Sequence, residues 1–238
     1  MQTKPLVVIT GASQGIGKSL AIAFAKQGNP LLLISRHIKP MIELQGHNAL
    51  YEQVDVTDFD SLQKAIRKAE DQYGKTDCLI NNAGFIEIGK FTEMPIETCN
   101  YEFDVIVKGV MNGIKCVLLD MSTRKAGTII NISSIDDRRA NEMAVIYDAG
   151  KHAVRAMSEA LQKAEGQNLV RIMNIAPGLI KTNIHEKMGI TFEEYCQQMG
   201  NPDFIAPEEL AEIILFCYQL PQRICIRDIV IMPTSSNY

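Results

Sequence analysis

The sequence predicts one α/β domain, in which a doubly wound sheet of seven mainly parallel strands is covered by helices on both faces. Seven short aliphatic and β-branched runs alternate with longer amphipathic segments along most of the chain. Strands that are apolar throughout are typical of parallel sheets buried between two layers of helices. The 238 residues are enough for one such core. Right-handed crossovers then favour the doubly wound topology.

The strand and helix candidates follow one another in order along the chain. The predicted strands are Leu6–Ile9, Leu31–Ser35, Leu50–Gln53, Cys78–Ile80, Thr128–Ile132, Val170–Ile175 and Asp228–Met232. The amphipathic segments are Ile16–Gln27, Ser61–Tyr73, Glu97–Met121 and Ala144–Glu165. One long insertion, Lys181–Pro207, follows the sixth strand. We interpret it as a small helical flap at the edge where α/β sheets bind ligands.

Composition favours an ordinary soluble globular protein. Hydrophobic residues make up 46% of the chain and charged residues 22%, and the net charge of −4 provides no broad basic surface for nucleic acid. We see neither a membrane span nor a secretory signal. The six cysteines are scattered without metal-ligand spacing, which favours free thiols in a reducing compartment. We therefore expect a cytoplasmic protein without a metal site, a membrane anchor or a nucleic-acid partner.

A glycine-rich turn follows the first predicted strand, and a helix follows the turn. Gly11 permits the tight turn, Gly15 lets the backbone approach a pyrophosphate, and Gly17 allows close packing of helix against strand. The helix N-terminus offers unpaired N–H groups and a positive dipole end to the phosphates. Glycines are also common in tight turns without a ligand. With a strand before and a helix after, we expect a dinucleotide to contact Gly11, Ser13, Gln14, Gly15, Ile16 and Gly17.

The end of the second strand indicates which dinucleotide binds. NAD-binding proteins usually place a carboxylate about 20 residues beyond the glycines, where it accepts hydrogen bonds from the ribose. Arg36 occupies this position instead. A guanidinium can pair bidentately with a 2′-phosphate, and Ser13 and Ser35 could add hydroxyl donors. The pattern favours NADP(H), although an arginine at a strand end can also be a solvated surface residue.

Tyr147 and Lys151 are the main candidates for catalysis. They lie four residues apart in a predicted helix and therefore share one face. The pKa of a free tyrosine is near 10, and an ammonium about 4 Å away could lower it to about 7, which would suit a general acid/base. Ser134 ends the preceding strand and could hydrogen-bond the reacting oxygen. We favour Ser134 over Ser133 because neighbouring side chains on a strand point apart.

With these motifs in order, the chain resembles the short-chain dehydrogenase/reductase family, which has a Rossmann-like fold, over nearly its whole length. The matching motifs are the glycine turn, Asp55-Val56-Thr57, Asn81-Asn82-Ala83-Gly84, Ser134, Tyr147 with Lys151, and Pro177-Gly178. The resemblance implies hydride transfer between NADP(H) and a small carbonyl or alcohol substrate. It also implies a homodimer or homotetramer.

The resemblance assigns further cofactor contacts as well. It implies that Asp55 meets the adenine amino group beside Val56, and that Tyr147 and Lys151 also contact the cofactor, with Lys151 on the nicotinamide ribose. It places the remaining contacts at Asn82, Ala83, Gly84, Pro177, Gly178, Ile180 and Thr182. The plainer alternatives are a helix cap at Asp55 and an ordinary turn at Pro177-Gly178.

Two features depart from the family pattern. Ile106 occupies the place where relatives carry an asparagine that completes a proton relay through water, and Asn112 lies too far around the helix to replace it. A non-catalytic, NADP(H)-binding regulatory protein is therefore the alternative to an enzyme. The charged segment Asp136–Arg139 follows Ser134. Its arginines could select a substrate carboxylate, or its charges could pair with one another.

Overall fold

The computed structural model describes residues 4–183 and 190–236. Seven parallel strands form one sheet in the order β3-β2-β1-β4-β5-β6-β7. The predicted seven-stranded parallel sheet is confirmed, and each predicted strand is present. The strands are β1 (Leu6–Thr10), β2 (Leu31–Ile34), β3 (Ala49–Glu52), β4 (Thr76–Asn81), β5 (Thr128–Ile132), β6 (Arg171–Pro177) and β7 (Asp228–Ile231).

Helices connect the strands and cover both faces of the sheet. The predicted segment Glu97–Met121 is helical throughout, but a π-helical turn at Asp104–Lys108 divides it into two α-helices. The helices are α1 (Gly15–Lys26), α2 (Phe59–Tyr73), α3 (Ile96–Phe103), α4 (Gly109–Arg124), α5 (Val145–Ala164), α6 (Phe192–Gln198) and α7 (Pro207–Gln219).

Two apolar cores lie on opposite faces of the sheet because side chains alternate along each strand. Val7 and Ile9 of β1 belong to the core that contains the buried faces of α1 and α7. Leu6 and Val8 belong to the other core, with α2, α4 and α5. The strand order reverses between β1 and β4, so a crevice opens beyond the carboxyl ends of these two strands.

The insertion after β6 contains the short helix α6, which supports the expectation of a helical element there. A capping box starts α6, because Thr191 accepts from the Glu194 N–H and the Glu194 carboxylate accepts from the Thr191 N–H. Residues 184–189 of the predicted flap lie outside the described residues. Across the described ranges, no helix is both long enough and apolar enough to cross a membrane. The same ranges contain no cluster of three potential metal ligands.

Candidate active site

In the turn between β1 and α1, Gly11 and Gly17 leave no room for a side chain. Gly11 has φ +65°, in the left-handed region, and a Cβ there would lie 2.7 Å from the Ala83 Cα. A Cβ on Gly17 would overlap the Gly11 carbonyl oxygen. α1 begins at Gly15, with no side-chain cap from Gln14 and no acidic residue in its first turn. Its first N–H groups and positive dipole end are therefore available to an anion.

Asn82 and Ala83 hold this turn in place. The Asn82 side-chain amide donates to the carbonyl oxygens of Thr10 and Gly11 at 3.0 and 3.1 Å. The backbone N–H groups of Asn82 and Ala83 both donate to the Thr10 hydroxyl at 3.0 Å. No described atom lies within 4 Å of where a Cβ on Gly84 would stand. The predicted motif Asn82-Ala83-Gly84 therefore stabilises the glycine turn through hydrogen bonds and leaves open space at Gly84.

The segment after β6 returns to the same turn. Ile180 is buried and forms a parallel bridge with Ile205. A Cβ added to Gly15 would lie 3.6 Å from Cγ2 of Thr182. The predicted segment from Pro177 to Thr182 thus reaches the glycine turn.

Polar side chains meet beyond the carboxyl ends of β2 and β3. Arg36 donates through Nη1 to the Tyr101 hydroxyl at 2.6 Å, and that hydroxyl donates to Asp55 Oδ2 at 2.6 Å. The Ser35 hydroxyl donates to that of Ser13 at 3.1 Å. No motif pointed to Tyr101, because α3 brings it to the site from a distant part of the chain. An open cavity of about 410 Å³ adjoins this group and is lined by Arg36, Phe85, Glu97, Thr98 and Tyr101.

Asp55 is held as a hydrogen-bond acceptor. Its Oδ1 accepts from the Thr57 N–H at 2.9 Å and from the Thr57 hydroxyl at 2.8 Å. Burial would raise the pKa of Asp55, but hydrogen bonds from Tyr101 and Thr57, with Arg36 nearby, hold it below its usual range. The residue that caps α2 is Asp58, so the alternative that assigned the cap to Asp55 is wrong.

The predicted catalytic residues Ser134, Tyr147 and Lys151 are brought together where β5 ends beside α5. Ser134 follows β5, and its hydroxyl interacts with Tyr147. The same hydroxyl accepts from the Asp136 N–H at 3.1 Å and lies 3.2 Å from Asp136 Oδ2. Lys151 is buried and donates through Nζ to the Ile132 carbonyl oxygen at 2.8 Å. Its Nζ lies 5.4 Å from the centre of the Tyr147 ring.

The pKa of Tyr147 lies above its ordinary value, not below it as the neighbouring Lys151 led us to expect. Burial raises the pKa of Tyr147 well above its usual value, and the carboxylates of Asp136 and Asp148 raise it further. The hydrogen bond from Ser134 acts in the opposite direction but does not outweigh them. The phenol therefore keeps its proton at neutral pH, as suits a group that donates a proton.

Lys151 is perturbed by the same surroundings. Burial lowers the pKa of Lys151 to about 8, although Asp137 and Asp136 both act to raise it. The ammonium form therefore still predominates at neutral pH. A buried cation with this pKa beside a tyrosine and a serine is typical of a functional site.

Ile106 packs in the core beside α5. It lies in the π-helical turn and is 1% exposed. A Cβ added to Gly150, between Tyr147 and Lys151, would stand 2.9 Å from Cγ2 of Ile106. Asn112 donates instead to the Val56 carbonyl oxygen at 2.8 Å, so its amide is not directed at Tyr147 or Lys151.

The charged segment after Ser134 forms internal ion pairs. Arg138 binds both oxygens of Asp228, at 2.9 and 3.0 Å, and donates to Asp137 at 2.6 Å. Arg139 donates to Asp136 at 2.8 Å. Of the two alternatives for this segment, the structure supports pairing of its own charges. The suggestion that Arg138 is directed at a substrate carboxylate is wrong, since carboxylates of the protein already hold it.

Comparison with known proteins identifies the class of protein. A family model described as short chain dehydrogenase matches residues 5–191. The oxidoreductase UcpA of Salmonella typhimurium is 34% identical over 207 residues, covering 84% of this chain and 76% of that protein. The chain therefore belongs to the short-chain dehydrogenase family of oxidoreductases.

Solved structures show the same fold. The alcohol dehydrogenase of the archaeon Thermococcus sibiricus, complexed with 5-hydroxy-NADP, superposes with a TM-score of 0.86 at 23% identity and covers 99% of both chains. A variant of actinorhodin polyketide ketoreductase with NADPH superposes with a TM-score of 0.88 at 22% identity, covering 100% of this chain and 99% of that one. At these identities the likeness extends to the architecture alone.

Proposed function

We propose that the protein is an NADP(H)-dependent oxidoreductase that transfers a hydride between the nicotinamide and a small carbonyl or alcohol substrate. The observation that carries this proposal is the meeting of Ser134, Tyr147 and Lys151 at the sheet edge that also holds the crowded glycine turn. A hydroxyl donor, a protonated phenol and a cation beside a dinucleotide-type turn suit proton transfer coupled to hydride transfer.

The residues present fit such a cofactor. Gly11 and Gly17 leave no room for a side chain, and the N-terminus of α1 is uncapped, so a pyrophosphate could approach the backbone there. Arg36 is exposed at the end of β2, where a 2′-phosphate would need a cation. When bound, NADP(H) would supply or accept the hydride. Its adenosine end would lie against Arg36 and Asp55, and its nicotinamide end near Lys151 and the segment that leads to Thr182.

Each of the three proposed catalytic residues would have a separate role in proton transfer. Ser134 would hold the substrate oxygen by a hydrogen bond, and Tyr147 would give that oxygen its proton as the carbonyl is reduced. Lys151 would bind the nicotinamide ribose and favour the phenolate that Tyr147 leaves behind. Because burial keeps the Tyr147 phenol protonated, the site holds the form of this acid that carbonyl reduction consumes.

The test of this mechanism is Tyr147→Phe, assayed by NADPH oxidation against a panel of aldehydes, ketones and keto acids. Removing the acid should lower turnover by about 100-fold or more, while NADPH affinity changes little. Tyr73→Phe, which removes a hydroxyl at the end of α2, is the matched control and should retain full activity. Unchanged turnover in Tyr147→Phe would remove this residue from the mechanism.

The cofactor preference is tested separately at Arg36. Arg36→Asp should shift the preference from NADPH toward NADH, because a carboxylate repels a 2′-phosphate and accepts hydrogen bonds from a free ribose. The measurement is the dissociation constant of each cofactor for the wild type and for Arg36→Asp. An unaltered ratio would discredit the assignment of Arg36 to the phosphate.

A non-catalytic NADP(H)-binding regulatory protein is the second candidate, and Ile106 is the observation that favours it. This apolar side chain occupies the predicted relay position and is 1% exposed. The candidate predicts tight NADPH binding with no turnover on the whole panel, whereas the enzyme predicts turnover on at least one carbonyl.

Assembly and location belong to the same proposal. We propose a homodimer or homotetramer in the cytoplasm, with the segment Lys181–Pro207 covering the substrate. Met111 and Leu119 on α4 are 45% and 80% exposed, which is consistent with a further protein surface packing on this helix. Light scattering of the purified protein would measure the subunit number, and a monomer would contradict the assembly.

A further inference from the structure

Tyr101 connects the two side chains that the proposed cofactor site uses at its adenosine end. Its hydroxyl lies 2.6 Å from Arg36 Nη1 and 2.6 Å from Asp55 Oδ2. Its ring lies 5.6 Å from that of Phe85, with the two planes inclined at 32°. The tyrosine is therefore fixed at both ends, by ring packing on one side and by two hydrogen bonds on the other.

The direction of the two hydrogen bonds is determined by the chemistry of the partners. A guanidinium can only donate, and a carboxylate can only accept. The single proton of the Tyr101 hydroxyl must therefore point to Asp55, which leaves the phenolic oxygen as the acceptor for Arg36. Asp55 remains ionised at neutral pH, because its pKa lies below its usual range. The arrangement consequently persists under the conditions in which a cofactor would bind.

Tyr101 positions Arg36 in two ways, by the hydrogen bond to its hydroxyl and by its ring, whose centre lies 5.4 Å from the guanidinium carbon. The arginine is exposed, and no carboxylate of residues 4–183 or 190–236 lies within salt-bridge distance of it. A free arginine loses much rotamer freedom when a ligand fixes it, which weakens binding. Tyr101 holds one nitrogen, Nη1, and the fork of the guanidinium has further donors for a phosphate.

We propose that Tyr101 is a positioning residue for cofactor selectivity, which holds Arg36 ready for the 2′-phosphate of NADP(H) by linking it to Asp55. This inference rests on the proposed function, since it presumes that Arg36 reads the phosphate. Cofactor selectivity would then depend on a residue of α3 as well as on Arg36 at the end of β2. Tyr101 acts through Arg36 and is not itself assigned a contact with the reacting atoms.

Tyr101→Phe removes the hydroxyl and keeps the ring that packs on Phe85. NADPH should bind about tenfold more weakly, the effect expected for the loss of one hydrogen bond to a charged group. NADH should change by less than about twofold, because it has no 2′-phosphate for Arg36 to bind. Tyr51→Phe is the matched control. The Tyr51 hydroxyl accepts from the Met41 N–H at 3.3 Å, apart from this cluster, so both affinities should stay the same.

The experiment is a fluorescence titration of the full chain with NADPH and with NADH, with little protein background because the chain has no tryptophan. It compares wild type, Tyr101→Phe, Arg36→Leu and the double variant. We expect the effect of Tyr101→Phe on NADPH to disappear in the Arg36→Leu background, as it must if Tyr101 acts through Arg36. Persistence of the effect in that background, or an equal loss for both cofactors, would overturn the inference.

Failure of this inference can be told apart from failure of the proposed function. A wild-type protein that binds NADPH no more tightly than NADH would refute the NADP(H) preference, and the role of Tyr101 with it. A clear wild-type preference that Arg36→Leu abolishes and Tyr101→Phe leaves intact would refute the role of Tyr101 alone. The unfolding midpoint of each variant shows that the measured protein is folded.

Discussion

Replacing Ile106 by asparagine tests whether this position serves packing or whether a missing relay limits the enzyme. Ile106 is 1% exposed and lies in an apolar cluster with Val110, Ile114 and Val154. It also packs against the face of α5 at Gly150. The substitution therefore removes an aliphatic side chain and places an amide in the same apolar surroundings.

The magnitude follows from this burial. Truncating a fully buried aliphatic side chain lowers the free energy of unfolding by about 2–5 kcal/mol. A buried amide without partners adds about 1–3 kcal/mol, and its volume offsets part of the cavity. We expect Ile106→Asn to lower the free energy of unfolding by about 4 kcal/mol, against about 1 kcal/mol for Ile106→Val. At about 2–4 °C per kcal/mol for a chain of this size, the midpoint should fall by roughly 10 °C.

Urea titration followed by circular dichroism measures this loss, with Ile106→Val as the control. Equal stability of the two variants would refute the reasoning, because it would mean that the amide finds partners and that apolar packing is not what this site requires. Turnover is then measured per folded molecule. A relay that limits the enzyme predicts faster turnover in Ile106→Asn, and equal or slower turnover would contradict that hypothesis.

Three further predictions concern the pH response, the glycine turn and the charged segment. Because burial lowers the pKa of Lys151 to about 8, the rate of carbonyl reduction should decline as the pH rises through about 8. In Lys151→Arg this decline should occur at a higher pH, because a guanidinium keeps its charge. A decline at the same pH in both proteins would contradict the need for the cation. The same shift means that the unfolded chain binds the proton more tightly, so the free energy of unfolding should rise between about pH 8 and 10.4 in wild type and not in Lys151→Met. Gly17→Ala should weaken NADPH binding by at least tenfold and lower the free energy of unfolding by about 1–3 kcal/mol, since its Cβ would meet backbone atoms. Gly166→Ala is the control, because a Cβ there has open space, and it should change neither NADPH binding nor stability. Burial would raise the pKa of Asp228, but hydrogen bonds led by Arg138 hold it below its usual range, so this pairing should stabilise the fold above about pH 4 and lose its effect as the pH falls. Urea titrations of wild type and Arg138→Met should accordingly differ at pH 7 and converge at pH 3, and a constant difference would contradict the ion-pair assignment.

Local sequence was sufficient to predict the sheet and the glycine turn. Strand runs such as Leu6–Ile9 are continuous and apolar, so their pattern and length distinguish them from the helices between them. The Tyr147 and Lys151 pair was equally readable, because a spacing of four residues fixes a shared helix face without reference to any other element. The π-helical turn at Asp104–Lys108 was not predicted, since the helical pattern runs through it unchanged.

Contacts between segments that are distant in the chain could not be predicted from local sequence patterns. Tyr101 meets Arg36 and Asp55 only because α3 folds back over the ends of β2 and β3. Arg138 was equally suited by its chemistry to a substrate or to an ion pair, and its encounter with Asp228 on β7 decided the outcome. A guanidinium binds whichever carboxylate the fold places beside it.

The chemical groups of the protein and the order of its strands and helices can be read from local patterns, because propensity and periodicity act over a few residues. The electrostatic state of those groups depends on the folded arrangement. An ammonium four residues away predicted a lowered pKa for Tyr147, yet burial and the carboxylates of Asp136 and Asp148 raise it. Desolvation and charge depend on every element packed around a group, and these neighbours exist only once the chain has folded.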